Sequence, residues 1–215
     1  MSMISERYEA LAADQLATAF QKSFDDVRVF RNLVMPLPEG RIIKTAEIDA
    51  LVVCNAGVFI FEVKSWCNAQ VFRIAIPGQE KKQWVLGSRS GKQMHVNDPV
   101  SQGAEKTNAL RAFLDARILT QYFVLLPGQA LDLEGTLPAS VLLSSDLGLA
   151  TRIIRSNQKR AKRYHALDAE AVGLVCAMIE DLTRGLSVAD HVASVIESKS
   201  QAVFKAKNGC NENAD

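Results

Sequence analysis

The chain has 215 residues and a formal net charge of +1, with 48% hydrophobic and 23% charged side chains. That balance supplies a buried core for one large domain, or for a domain with an appended piece. It excludes a strongly basic nucleic-acid coat protein, and no run approaches the roughly 20 apolar residues of a membrane helix. A site that holds a metal through acidic groups would offset basic residues elsewhere, so the charge leaves nucleic-acid chemistry open. The N-terminus from Met1 to Asp14 is polar and lacks the apolar stretch of an export signal. Cys54, Cys67, Cys176 and Cys210 form no CxxC pair, which gives no support to a zinc site. Cys54 and Cys176 read as small core residues, and the expected setting is reduced and cytoplasmic.

In chain order, residues 5–22 read as a helix, with Leu11, Leu16, Ala19 and Phe20 near helical spacing. Residues 27–35 read as a strand, ended by the turn Pro36-Leu37-Pro38-Glu39-Gly40. Residues 48–54 and 58–64 flank Asn55-Ala56-Gly57 and predict a β-hairpin. Ile48, Ala50 and Val52 are expected on one face with Phe59, Phe61 and Val63, and Leu51, Val53, Val58 and Ile60 on the other. Both faces are apolar, which predicts central strands covered on both sides.

Residues 70–76 and 83–87 read as short strands joined through Pro77-Gly78. Pro99 suits the first turn of a helix running to about Ala116. Residues 122–126, ended by Pro127-Gly128, and 141–143 read as further strands. Residues 168–184 carry an apolar stripe of Leu167, Val172, Val175, Met178, Ile179 and Leu182, and a last helix is expected over 187–199. The order predicts an α/β fold, a mixed sheet with helices on both faces. The expected division is a core over 1–145, a basic segment with C-terminal helices over 146–204, and a polar tail over 205–215.

Three charges interrupt the buried hairpin: Asp49, Glu62 and Lys64. Glu62 and Lys64 are two apart and share a face. A turn at Asn55-Ala56 sets Glu62 opposite Asp49, and a turn at Ala56-Gly57 sets Lys64 there. Either register gathers all three at the end remote from the turn, whereas a one-residue slip would separate Asp49. Two close carboxylates repel unless a cation lies between them, and hard oxygen ligands suit Mg²⁺. Such a metal would polarise a phosphodiester oxygen and acidify a water, which Lys64 would orient. The Val63 carbonyl is a further candidate ligand. A buried ion-pair network without metal fits the spacing equally well.

The segments Glu47-Ile48-Asp49-Ala50-Leu51-Val52-Val53 and Gly57-Val58-Phe59-Ile60-Phe61-Glu62-Val63-Lys64-Ser65-Trp66 resemble the NERD (nuclease-related) domain. That family belongs to the PD-(D/E)XK restriction-endonuclease-like superfamily. Its downstream tryptophan and N-P-x-x-Q helix start are matched here by Trp84 and Pro99-Val100-Ser101-Gln102, although Asp98 intervenes after Asn97. The resemblance spans roughly residues 8–115. It implies a metal-dependent nuclease acting on nucleic acid, DNA above all, with Mg²⁺ or Mn²⁺ held by Asp49 and Glu62 and with Lys64 as the catalytic lysine. It also implies a supporting role for Gln102 and for a first-helix acid, here Asp14 in Ala13-Asp14, where the family has Gly-Glu.

Arg152, Arg155, Lys159, Arg160, Lys162 and Arg163 form the densest basic run, a candidate phosphate-binding patch with Tyr164 for stacking, or simply a solvated face. Trp66 and Trp84 are expected to pack beside the site, and His95 to be structural. The rival functions are a non-catalytic module that binds nucleic acid or a protein, and a homo-oligomer or subunit of a larger DNA-processing or defence assembly.

Overall fold

The computed structural model of the chain describes residues 3–37, 45–64, 66, 70–74, 83–87, 91–126, 132–134 and 138–197. Helix α1 (Met3–Gln21) leads into an antiparallel meander of β1 (Arg28–Pro36), β2 (Thr45–Cys54) and β3 (Gly57–Val63). Strands β4 (Gln70–Ile74), β5 (Gln83–Gly87) and β6 (Gln93–Val96) form a second meander. Then come α2 (Pro99–Arg111), β7 (Thr120–Leu126), β8 (Asp132–Glu134), β9 (Val141–Leu143), α3 (Leu147–Arg160) and α4 (Ala169–Thr183), and α5 over 188–197.

The main sheet has the order β1-β2-β3-β7-β9, and the second sheet has the order β6-β5-β4-β8. Strands β3, β7 and β9 run parallel to one another, so the main sheet is mixed. Helices cover both of its faces, and the fold is the expected α/β type. On one face α1 and α3 bury Leu16, Phe20, Ala150 and Ile154 against Val52, Phe59, Phe61 and Phe123. Phe20 meets Phe61 edge to face, with ring centres 5.5–5.9 Å from those of Phe24, Phe59 and Phe61; such pairs add about 1 kcal/mol beyond area burial. On the other face α2 and α4 bury Leu110, Val172 and Ile179 against Leu51, Val53, Val58 and Ile60. The second sheet packs Trp84 and Leu86 against Val124, Leu126 and Val141, near the ends of β7 and β9.

The hairpin register resolves the alternative left open by the sequence. Pairing runs from Cys54↔Gly57 to Ala50↔Phe61, so the turn is Asn55-Ala56 and one further step sets Glu62 opposite Asp49. Gly57 follows the turn with φ +136°, and a Cβ there would lie 2.2 Å from the Leu119 carbonyl oxygen. Only glycine fits both requirements.

The expected facing of Ile48 is corrected. Ile48 packs with Leu51, Val53, Val58 and Ile60 rather than beside Ala50. The β1–β2 register keeps one offset throughout but skips the pair Asn32 and Asp49, and Asn32 has φ +50°. Asparagine tolerates that conformation, and the local break changes which side the following residues face.

Other differences are smaller. Leu11 is 47% exposed, and the buried stripe of α1 runs through Ala12, Ala13, Leu16 and Phe20. Helix α2 ends at Arg111 rather than near Ala116. Strand β6, strand β8 and helix α3 were not anticipated. Gly40, Pro77-Gly78 and Pro127-Gly128, at which turns were expected, lie outside the described residues, as do Cys67 and the tail from 198 onward. Cys54 is buried and Cys176 half-buried, both as free thiols. No helix among the described residues is long and apolar enough to cross a membrane.

Candidate active site

The parallel strands β3, β7 and β9 end on the same side of the sheet, and ligands of α/β sheets bind beyond such carboxyl ends. The charges of the hairpin lie at this end. Glu62 is 4% exposed on the last turn of pleat before β3 ends. Its Oε1 accepts a hydrogen bond from Lys64 Nζ at 2.6 Å, and its Oε2 accepts one from Lys106 Nζ. Backbone pairing of β2 with β3 stops at Ala50↔Phe61, and beyond it the Val63 N–H donates to Asp49 Oδ2 at 2.7 Å. The aspartate side chain thus replaces a ladder bond and is held at the spot where β1 is kinked.

The three expected residues are therefore brought together, with others that sequence reasoning missed. Lys106 reaches Glu62 from α2, 44 positions away. Its signal was its spacing: it lies four residues after Gln102, so the two share one face of α2. Gln102 is partly buried one turn nearer the helix start. Glu9 is buried on α1, 7% exposed. Its signal was the apolar stripe, since positions 9, 12, 16 and 20 recur at helical spacing. Glu47 stands two residues before Asp49 on β2 and feels the charges of Glu9, Glu62, Lys64 and Lys106. His191 on α5 bonds Thr45 Oγ1 through Nδ1 at 2.9 Å, and no sequence signal pointed to it.

Asp14 is placed elsewhere. It is exposed, and it lines a groove with Gln15, Thr18, Ser144, Gly148 and Thr151. Five residues on from Glu9, it points about 140° away around the helix. The acid that α1 directs toward the cluster is Glu9.

The electrostatics are those of an acid-rich site neutralised by lysines. Burial first, and then the charge of Glu62, push the Asp49 carboxyl up to about 7 against the opposing pull of Lys106, the Val63 N–H and Lys64. Burial also raises Glu47, against Lys106. For Glu62 burial pushes the same way, but Lys106 and Lys64 outweigh it and hold the carboxyl below its ordinary value. Burial and the nearby Lys106 keep His191 below its ordinary value. In each of the three acids Lys106 lowers the pKa more than Lys64 does.

Among the described residues no three His, Cys, Asp or Glu side chains converge as a ready-made metal cage. The donor chemistry still fits Mg²⁺ or Mn²⁺. Asp49 and Glu62 offer hard carboxylate oxygens one register step beyond the last β2–β3 pair, and two such ligands would leave positions for water and phosphate.

The elements around the cluster are tied together by Asp98, the residue that interrupts the expected N-P step. Asp98 caps α2: its carboxylate accepts from Val100 N at 3.0 Å and from Ser101 Oγ at 2.7 Å. It also accepts from Trp84 Nε1 at 2.8 Å, which joins the second sheet to the start of α2. Trp84 is fully buried beside Trp66, ring centres 5.9 Å apart, so both tryptophans pack as expected. His95 is exposed on β6.

The later part of the basic run, from Lys159 on, lies at the other end of the sheet. Arg152, Arg155, Lys159 and Arg160 are exposed on α3, which packs on the face opposite α2. Gln158 Nε2 bonds the Ala56 carbonyl at 3.1 Å and Leu167 N bonds the Asn55 carbonyl at 2.8 Å. The segment with Lys159, Arg160, Lys162 and Arg163 therefore sits at the hairpin turn, roughly 20 Å of strand from Glu62. Arg155 stacks on Phe24, 5.4 Å from the ring centre, and Arg163 on Tyr164 at 4.8 Å.

Compared with known families, residues 5–127 match a model described as the nuclease-related domain, NERD. Neither the curated proteins nor the solved structures give a match.

Proposed function

The chain belongs to the nuclease-related domain family, within the PD-(D/E)XK-like nuclease superfamily, and from that premise we propose that it hydrolyses phosphodiester bonds of nucleic acid, DNA in the first instance, with the help of Mg²⁺ or Mn²⁺. The observation that carries this reading is the gathering of three charges just past the last β2–β3 pair, at the carboxyl end of β3: Asp49 accepts from the Val63 N–H, and Lys64 is bonded to Glu62. Asp49, Glu62 and the Val63 carbonyl would hold the metal, which supplies Lewis-acid polarisation of the scissile phosphate.

The remaining work falls to the chain itself. Lys64 places an ammonium beside the reacting phosphate, where it orients the attacking water and offsets charge developing in the transition state. Burial of Glu62, with Lys64 bonded to it, holds the carboxylate in place for the reaction. Gln102, on the helix face that carries Lys106, is positioned to meet the substrate or the attacking water. Glu9 supplies the first-helix acid in the outer ring of the site, and Asp14 has no role in it. As in the superfamily generally, the products would carry 5′-phosphates.

The test compares wild type, Lys64→Ala and Asp49→Ala on supercoiled, linear and single-stranded DNA and on RNA, with Mg²⁺ or Mn²⁺. Wild type is expected to cleave at least one form, and each variant to lose about 10²-fold or more in rate. Absence of cleavage on every form, together with absence of Mn²⁺ binding, overturns the reading.

A second reading is favoured by the engagement of both Glu62 oxygens by lysines. In it the cluster is a structural ion-pair network and the domain binds nucleic acid without cutting it. Intact function in Lys64→Ala, with loss of function on charge reversal across residues 152–163, would select that reading.

A further inference from the structure

Glu62 has two carboxylate oxygens, and each already carries an ammonium group. A divalent cation shared between Glu62 and Asp49 would draw on the same oxygens, and its charge would repel the ammonium on whichever oxygen it binds, so the metal competes with one lysine. The two are not equivalent. Lys64 stands two residues from Glu62 on the same stretch of chain, and its backbone N–H is fixed to the Leu125 carbonyl at 2.9 Å. Lys106 comes from a separate element, α2, and reaches Glu62 through its flexible four-carbon stem, 15% exposed. Lys64 is the more exposed of the two, at 23%, so what sets Lys106 apart is its origin on α2: it can leave Glu62 without disturbing β3.

We propose that Lys106 is the site's internal cation: its ammonium neutralises Glu62 and Asp49 in the arrangement described above, and a divalent metal binds by displacing it from Glu62 Oε2. The proposal rests on the metal-dependent reading of the site and adds its regulation. Lys106 then sets how much metal the protein requires, because its ion pair competes with the metal for one oxygen. Once displaced, the ammonium remains on the Gln102 face of α2, where a substrate phosphate would meet it. Lys106 thus acts through Glu62, as a competitor for its oxygen rather than as a group that touches the reacting atoms.

The experiment measures Mn²⁺ affinity by calorimetry for EDTA-stripped wild type, Lys106→Met, Lys106→Arg and Asp49→Asn. Lys106→Met is expected to bind Mn²⁺ about tenfold more tightly than wild type, because the competing charge is gone. Its melting temperature in EDTA should fall, since Glu62 loses a partner, and should recover with Mn²⁺. Lys106→Arg should bind no more tightly than wild type.

A second measurement needs no variant to be stable. The lysine ammonium resonances of ¹⁵N-labelled wild type, with Lys106 assigned by its loss in Lys106→Arg or in any soluble Lys106 variant, are followed during Mg²⁺ addition. The Lys106 signal should shift or broaden as Mg²⁺ saturates the site. Unchanged or weaker Mn²⁺ affinity in Lys106→Met, or a Lys106 resonance indifferent to saturating Mg²⁺, overturns the proposal. If wild type binds Mn²⁺ and Asp49→Asn does not, that failure leaves the nuclease reading standing. If no form binds Mn²⁺, both fall together.

Discussion

The two ends of the β2–β3 hairpin are built on opposite principles. At the turn end the ladder is complete, glycine fits where no other residue does, and α3 and the segment before α4 bond to the turn carbonyls. At the open end the ladder stops early, Asn32 kinks β1, and carboxylates are buried within reach of one another. Burying two like charges costs several kcal/mol before any partner is counted. The regular end, with its apolar faces, supplies the stability that lets the irregular end persist. Such a division is expected of a site, where local rules are broken for chemistry and upheld elsewhere.

The largest effect should come from breaking the regular end. Gly57→Ala would strain a backbone at φ +136° and drive a Cβ into the Leu119 carbonyl. The Leu119 oxygen also accepts the Val58 N–H at 2.9 Å, so it cannot retreat without losing that bond. A loss of about 3–4 kcal/mol is expected in urea unfolding. A loss below about 1 kcal/mol would mean that the turn is more pliant than its contacts indicate. Asp98→Ala probes the joint between the second sheet and α2, where one carboxylate caps α2 and receives Trp84. Losing the cap and the hydrogen bond from the Trp84 indole should together cost about 2 kcal/mol. Asp98→Asn should recover part of it.

At the irregular end the sign reverses. Folding raises the Asp49 pKa to about 7, so the carboxyl holds a proton more tightly in the fold than in the unfolded chain. The stability it contributes is complete below about pH 4 and is lost as pH rises through about 7. Asp49→Asn in EDTA should therefore stabilise the protein at pH 8 by about 1–2 kcal/mol, a few degrees in Tm, and do little near pH 4. Equal effects at both pH values would show that the Asp49 charge is not what strains the site. The same variant should abolish Mn²⁺ binding, so stability and function would move in opposite directions.

The same contrast governs what could be read from sequence. The regular end was legible because alternation and a glycine-containing turn fix parity, and parity alone brought Asp49, Glu62 and Lys64 together. The facing of Ile48 was not, because it depends on a kink at Asn32 in a neighbouring strand. Lys106 and Glu9 join the cluster from two different helices, and contacts of that separation leave no periodic trace beyond helix-face spacing. Helix α3 was hidden by its own charges: the basic run drew attention from the stripe Leu147, Ala150, Ile154, which is what packs it. Asp98 looked like a departure from a family pattern until its cap and its bond to Trp84 gave it a structural role.

The smallest effect on stability, and the sharpest on binding, concerns the basic run. Lys159, Arg160 and Arg163 are exposed at the turn end, far from Glu62. The triple charge reversal to Glu should change unfolding free energy by no more than about 0.5 kcal/mol per site. Its consequence for nucleic acid depends on length. Roughly 20 Å of strand corresponds to about six base pairs of duplex, at 3.4 Å each. A duplex hairpin of about four base pairs bound at the open end would stop short of the run, whereas a 30-base-pair duplex would lie across it. The reversal should weaken binding of the long duplex severalfold, reduce its salt dependence, and leave the short one unchanged. Equal weakening of both would mean that the run acts at the open end after all, and an effect on neither would make it a solvated face. In the expected outcome the two ends divide the work a second time, with chemistry at the open end of the sheet and grip at the turn.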